Sequence, residues 1–250
     1  MQNGFEKMVR KVIRTLVTGL AAATAVLTAS AAPSAASDSC ATYNPNVPAP
    51  GAFVGTIDNP YFPLPVGRTL VYRGGEDAMD EIDRLHVTDR TNVIQGVTAT
   101  VIHDTVFARG HKEEITTDWY AQDDRGNVWY LGENTRVRLK NGTIDRSGSW
   151  KWGVDGAKPG LVMEADPQPP DSYRQECLSG EAEDMAWTID RGGTATVAYG
   201  RQHRIVRSFE FTPLEPNVVS EKIYAPGLGI VRERDLHGGD ETFELVRVRD

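Results

Sequence analysis

The sequence predicts a mainly β protein, an antiparallel meander that curls into a closed or nearly closed barrel. Three observations carry this reading. From residue 68 to the C-terminus, short β-type runs alternate with turn residues. No segment sustains a helical period. The punctuation between runs is hairpin chemistry: Asn141-Gly142 is a type I′ signal, and Arg109-Gly110 and Arg125-Gly126 read as hairpin turns. A meander of so many strands curls on itself rather than staying flat.

The N-terminal 36 residues read as a secretory signal peptide. Arg10, Lys11 and Arg14 form a basic patch, residues 16–27 are apolar, and small residues follow, with cleavage after Ala31, Ala35 or Ala36. The apolar run is shorter than the roughly 20 residues that span a bilayer. Residues 37–66 carry Pro45, Pro48, Pro50, Pro60, Pro63 and Pro65, a density that excludes a helix or a central strand. They predict an extended lead-in packed through Tyr61, Phe62 and Leu64. Residues 67–250 form the β domain, lipocalin-like in architecture. Its expected strands are 69–73, 82–88, 97–108, 111–122, 127–133, 135–140, 143–147, 194–199, 203–212, 218–224, 229–235 and 242–248. Residues 148–179 are rich in Gly and Pro and read as a long binding loop or lid. Residues 180–187 are the one short helix expected, because acidic residues open it.

The chain carries a formal net charge of −8, and removing the basic leader makes the remainder more acidic. Such a chain repels phosphates, and it has no basic run, so nucleic acid is excluded as a partner. No second apolar stretch reaches membrane length, so no transmembrane helix is expected. Cys40 and Cys177 are the only cysteines. In an oxidising compartment they pair as a disulfide. Lipidation of Cys40 is the competing reading, but Ser37-Asp38-Ser39 is no lipobox. A redox role lacks a C-x-x-C motif.

Candidate chemistry follows from strand alternation. A two-residue loop at Arg109-Gly110 places His103 opposite Thr116, between Glu114 and Asp118. The next turn places Tyr120 opposite Trp129. One face would then carry His103, Glu114, Asp118, Tyr120 and Trp129. The other would carry Ile102, Asp104, Val106, Ile115, Trp119, Val128 and Tyr130. If the polar face meets solvent, it is an ordinary half-buried sheet. If it lines the interior, His103 flanked by Glu114 and Asp118 can move protons or hold a divalent metal. A slip of one residue dissolves the trio. Glu181, Glu183 and Asp184 form a second acidic group, read either as calcium-type oxygen ligands or as helix-start residues. Nucleophile-elbow, zincin, P-loop and dinucleotide motifs are absent.

Several segments together resemble a family of secreted bacterial proteins of unknown function: 59–64 running into Gly67, Asp118-Trp119-Tyr120 before Trp129-Tyr130, the Gly-rich 153–160, the acidic 180–184, and 224–229. The resemblance implies one domain and no known reaction. Three functions stay open. The first is a binding module holding a small, partly apolar molecule among Tyr120, Trp129, Trp150, Trp152, Tyr173 and Arg174. The second is an enzyme without an organic cofactor, metal-assisted or not. The third is a cell-envelope interaction protein. The sequence establishes no cofactor and no oligomeric state.

Overall fold

The structure is a computed structural model that describes residues 40–75, 81–139 and 141–250. The predicted signal peptide lies outside the described residues. The lead-in contributes a 3-10 turn (Pro50–Ala52) and β1 (Phe53–Val54). Then come β2 (Thr69–Gly75), β3 (Glu81–Ile94), β4 (Val97–Ala108), β5 (His111–Asp123) and β6 (Val128–Arg138). Five short strands follow: β7 (Ile144–Asp145), β8 (Trp150–Lys151), β9 (Lys158–Met163), β10 (Ser172–Arg174) and β11 (Glu176–Cys177). The chain ends with β12 (Met185–Val197), β13 (Gly200–Phe211), β14 (Val219–Ala225), β15 (Gly229–His237) and β16 (Thr242–Arg249).

These strands form one antiparallel sheet in the order β10-β12-β13-β14-β15-β16-β2-β3-β4-β5-β6-β9-β11, with β1 on β5 and β7 and β8 on β6. Most neighbours are hairpins. Gln95-Gly96 and Arg109-Gly110 both have positive φ at their two central residues, as a type I′ turn requires. The long-range step is β16 beside β2, which brings the last strand onto the first long one.

The ladder does not close, so the closed barrel expected from sequence is corrected to an open, curled sheet. Its two ends, β10 and β11, are consecutive in the chain and separated only by Gln175. Gly160 lets β9 pass close to the end of β10: a Cβ there would lie 2.2 Å from the Arg174 carbonyl oxygen. Beyond it, the Tyr173 hydroxyl reaches the Val162 carbonyl at 3.4 Å, so a side chain spans the gap where no ladder runs.

Two further expectations are corrected. Residues 148–179 are not one irregular loop, because β8 to β11 cross them. Residues 180–187 do not form a helix. Leu178 and Ala182 exchange backbone bonds in a tight reversal, Gly180 takes φ +77°, and the chain enters β12 at Met185. The acidic residues there serve a turn, with the Glu183 carboxylate accepting the Gly180 N–H at 3.0 Å.

Two cores result. The larger fills the concave side and includes Leu70, Leu85, Ile102, Tyr120, Tyr130, Ile205, Tyr224 and Phe243, with Tyr61, Phe62 and Leu64 of the lead-in inserted among them as the sequence predicts. The smaller lies on the outer face: Ile94, Val97, Ala99, Ala121, Trp129 and Leu131, roofed by Val47 and Phe53 of the lead-in and by Trp152 and Leu161.

Cys40 and Cys177 form the predicted disulfide, with Cα atoms 5.5 Å apart across 137 residues of sequence. Lys158 reinforces it: its ammonium donates to the carbonyls of Cys40 (2.7 Å), Ala41 and Tyr43. Replacing both cysteines by alanine should lower unfolding free energy by about 2–5 kcal/mol, read from denaturant melts of oxidised wild type and variant. Equal midpoints would show that the bridge adds nothing to stability.

Candidate functional site

Bulges decide which side chains face inward. The β4–β5 hairpin starts in the predicted register, with Phe107 opposite Lys112, then shifts by one residue so that Val106 meets Glu114 and His103 meets Thr117. The β5–β6 turn is one residue longer than predicted, with the Asp123 N–H bonded to the Asn127 carbonyl, so Tyr120 meets Tyr130 rather than Trp129, and a second shift follows between Tyr120 and Trp119. The predicted face is thereby split. Glu114, Asp118 and Tyr120 line the interior, where Asp104 and Tyr130 join them from the face assigned to the other side. His103 and Trp129 lie on the outer face.

The interior is acidic. Asp83, Asp104 and Asp118 fall on a diagonal across β3, β4 and β5, each all but fully buried. Burial first, then the Asp104 carboxyl beside it, raises Asp83 well above the usual carboxylate range. The same two causes push Asp118 up to about 8, although the Tyr130 hydroxyl donates to it at 2.6 Å. Asp118 is therefore largely protonated near neutrality. Beside them runs an aromatic column. Phe62 meets Tyr120 edge-on at 5.3 Å, Tyr120 stacks on Tyr130 at 4.6 Å, and Trp150 meets Tyr130 edge-on at 5.3 Å. The Trp150 indole N–H donates to Glu176 at 2.6 Å.

Lys222 is the buried cation of this interior. Its Nζ lies 2.6 Å from Glu210 and 3.7 Å from Glu233, and the Tyr224 hydroxyl donates to the same Glu210 at 3.0 Å. Burial alone lowers an ammonium pKa, but Glu210 and Glu233 outweigh it and the Lys222 pKa is raised. The cavity enclosed by Tyr120, Tyr130, Glu133, Asp184, Lys222 and Tyr224 measures about 20 Å³. That is space for about one water, not for a metabolite.

A larger depression, about 390 Å³, lies outside, between the lead-in and the seam of the sheet. Residues 43–48 form one wall, Asp123, Arg125, Asn127 and Trp129 a second, and Leu161 with Ser172, Tyr173 and Arg174 the third. Local chemistry fixes each wall. Asp123 accepts four bonds, from the N–H groups of Arg125 and Asn127, the Asn127 amide and the Trp129 indole, at 2.9–3.0 Å. The Tyr43 hydroxyl donates to the Pro159 carbonyl at 3.2 Å, and the Arg174 guanidinium lies 5.7 Å from the Tyr43 ring centre.

Of the predicted binding residues, Trp129, Tyr173 and Arg174 thus meet at one groove. Tyr120 and Trp150 are filling in the interior, and Trp152 roofs the outer core. The catalytic trio is not assembled, because the bulge turns His103 away from Glu114 and Asp118. The second acidic group also disperses. Glu181 faces the Gly148 N–H, Glu183 the Gly180 N–H, and Asp184 the interior cavity. Among the described residues, no three His, Cys, Asp or Glu side chains converge as a metal site would require. Sequence reading missed Tyr43 and Arg125; the run of prolines and asparagines at 44–48 marks only the wall that Tyr43 belongs to.

No family model matches the chain and no curated protein matches it. Among solved structures it is similar to a “putative lipoprotein” from Parabacteroides distasonis, at 10% identity and a TM-score of 0.40, over 76% of this chain and 98% of that one.

The raised aspartates set a pH dependence. A carboxyl whose folded pKa lies above its unfolded value favours the fold fully below the unfolded pKa, and that advantage is lost as pH rises through the folded one. For Asp118 the window runs from about 4 to about 8. The melting temperature should therefore fall by roughly 5 °C or more between pH 5 and pH 8. Asp118→Asn, which keeps the neutral shape, should flatten that slope. A melting temperature that rises over the interval in wild type would show that the aspartates are ionised in the fold.

Proposed function

We propose that this is an extracytoplasmic binding protein whose ligand, a small and partly apolar molecule bearing an acidic group, occupies the groove between the lead-in and the sheet seam. The observation that carries the reading is the groove itself. At about 390 Å³ it falls within the range of small-molecule sites, whereas the interior cavity is an order of magnitude smaller. Tyr43, Pro45, Pro48, Trp129 and Leu161 offer apolar and aromatic surface. Arg125 and Arg174 bring two cations to one place on an acidic chain, and an arginine fork suits a carboxylate or phosphate. Asn44, Asn46 and Asn127 add amide donors and acceptors. The location rests on the disulfide, which persists in oxidising compartments, and on the predicted leader. Among the described residues no helix is long and apolar enough to cross a membrane.

The barrel reading survives here in a narrower form. The segment 172–177 pairs with β12 through its first half and with β9 through its second, so one chain segment bridges the two ends of the sheet. The groove lies over the part of that seam the ladder leaves open.

The test uses anilinonaphthalene sulfonate, an apolar anion whose fluorescence reports burial. The oxidised, folded protein should bind it saturably at one site. Arg174→Ala should weaken that binding about tenfold, the worth of one charge-assisted hydrogen bond. Arg138→Ala, away from the groove, should leave it unchanged. No saturable binding, or equal loss in both variants, would remove the groove as the site.

A further inference from the structure

The outer face of the sheet carries an arrangement that neither the groove nor the interior uses. Thr69, His86, His103 and Thr117 stand in one cross-strand row on β2, β3, β4 and β5, each opposite the next. The bulge that turns Glu114 and Asp118 inward is what sets Thr117 opposite His103 and completes this row. Directly opposed residues on antiparallel strands have Cβ atoms about 4.5–5.5 Å apart, close enough for two imidazoles to share one ion.

The threonines orient the rings. Thr69 Oγ1 lies 2.9 Å from Nδ1 of His86, and Thr117 Oγ1 lies 3.3 Å from Nδ1 of His103. Each ring is thus held by a hydroxyl on the strand away from its partner histidine. A hydroxyl can accept from Nδ1–H, which puts the proton on Nδ1 and leaves the Nε2 lone pair for a ligand. A ring nitrogen hydrogen-bonded to fix the tautomer, with the other nitrogen toward a metal, is the usual outer shell of a histidine ligand. The row is accessible: His86 is exposed and His103 half-buried.

We infer that His86 and His103 form a two-histidine site for a late first-row divalent metal, Cu²⁺ foremost, on the outer face of the sheet. Imidazole suits copper, nickel and zinc, and the order of affinities for a given nitrogen site peaks at copper. Water completes the coordination, since among the described residues no third His, Cys, Asp or Glu joins the pair. Arg90 acts electrostatically on His103, and its positive charge opposes the ion, so the site is an open, exchangeable one rather than a structural centre.

The experiment is a titration of the oxidised chain with Cu²⁺ buffered by glycine, followed by calorimetry and by the nitrogen hyperfine pattern in electron paramagnetic resonance. Wild type should take up one equivalent with two nitrogen ligands. His86→Ala and His103→Ala should each weaken uptake at least tenfold, while replacing His111, His203 and His237 together should leave it intact. Thr117→Val should weaken it about tenfold by freeing the His103 ring, the loss typical of an outer-shell partner. Neither histidine variant should shift the melting temperature of the metal-free protein, because both side chains project from the outer face. One-equivalent uptake that survives either single histidine variant would overturn the site. So would wild-type uptake no tighter than that of the double variant.

Discussion

The constraint on which the structure turns is the acidity of its concave side. Asp83, Asp104, Asp118, Glu133, Glu176, Glu210 and Glu233 are all buried, and Lys222 is the buried cation among the described residues. Ionising so many carboxyls in a low-dielectric space would cost far more than a marginally stable fold retains. The interior resolves this in two ways. Near Lys222, ion pairing with Glu210 and Glu233 keeps charge that is locally balanced. Along the aspartate diagonal, burial favours the neutral form of Asp83 and Asp118 instead, and a protonated carboxyl can both donate and accept. Tyrosines suit such a wall because burial raises Tyr72, Tyr120, Tyr130 and Tyr224 and keeps them neutral. The concave side is consequently filled by apolar side chains together with these paired or neutral polar groups, and there is little room in it for a ligand.

The seam and the lead-in are linked to that packing. Closing the ladder would require β9 and β10 to pair along their length, but no ladder runs between them, and at Gly160 the absence of a side chain lets the backbones meet. Tyr173 occupies the remaining gap. The lead-in then covers this weak edge from outside, which also shields unpaired strand groups from other chains. It is fastened at one end by the disulfide and Lys158 and at the other by β1 on β5. Between the two fastenings, residues 44–48 span the seam, and the space they leave against Trp129 and Arg174 is the groove.

Much of the fold was legible in the sequence because hairpin turns and alternation are local signals. The strands around Arg109-Gly110 and Asn141-Gly142, the packing of Tyr61, Phe62 and Leu64, and the disulfide all followed from residues close to the chemistry that decides them. The site was less legible because it depends on bulges. The extra residue near Glu113 has no glycine or proline to announce it, and the one opposite Trp119 is marked only by Gly132, whose φ of +143° strand alternation does not reveal. The first part of strand β12, residues 185–193, was missed for a related reason. Its pairing with β13 shifts register around Thr188, Arg191 and Gly193, so no clean alternation survives. The short strands from β8 to β11 were hidden by the prolines and glycines at their ends. Pro159 itself stands inside β9, next to the open seam, where a missing N–H is tolerated.

The same bulge that dissolved the predicted catalytic trio explains why function is sought on the outside. Had the β4–β5 register continued unshifted, Glu114 and Asp118 would share the outer face with His103; the extra residue in β5 turns them inward instead, behind the aromatic column. His103 stands in line with His86 on an accessible face, and the shift sets Thr117 at the end of that row. The groove has the same logic: the longer β5–β6 turn places Trp129 on the outer face, where it becomes part of a wall that Arg174 and the lead-in complete. An interior dense with protonated acids stabilises the sheet only if it stays closed to solvent and ions. Ligand chemistry and interior packing are therefore separated across the thickness of one sheet, and the bulges make the separation by assigning each side chain to one face or the other.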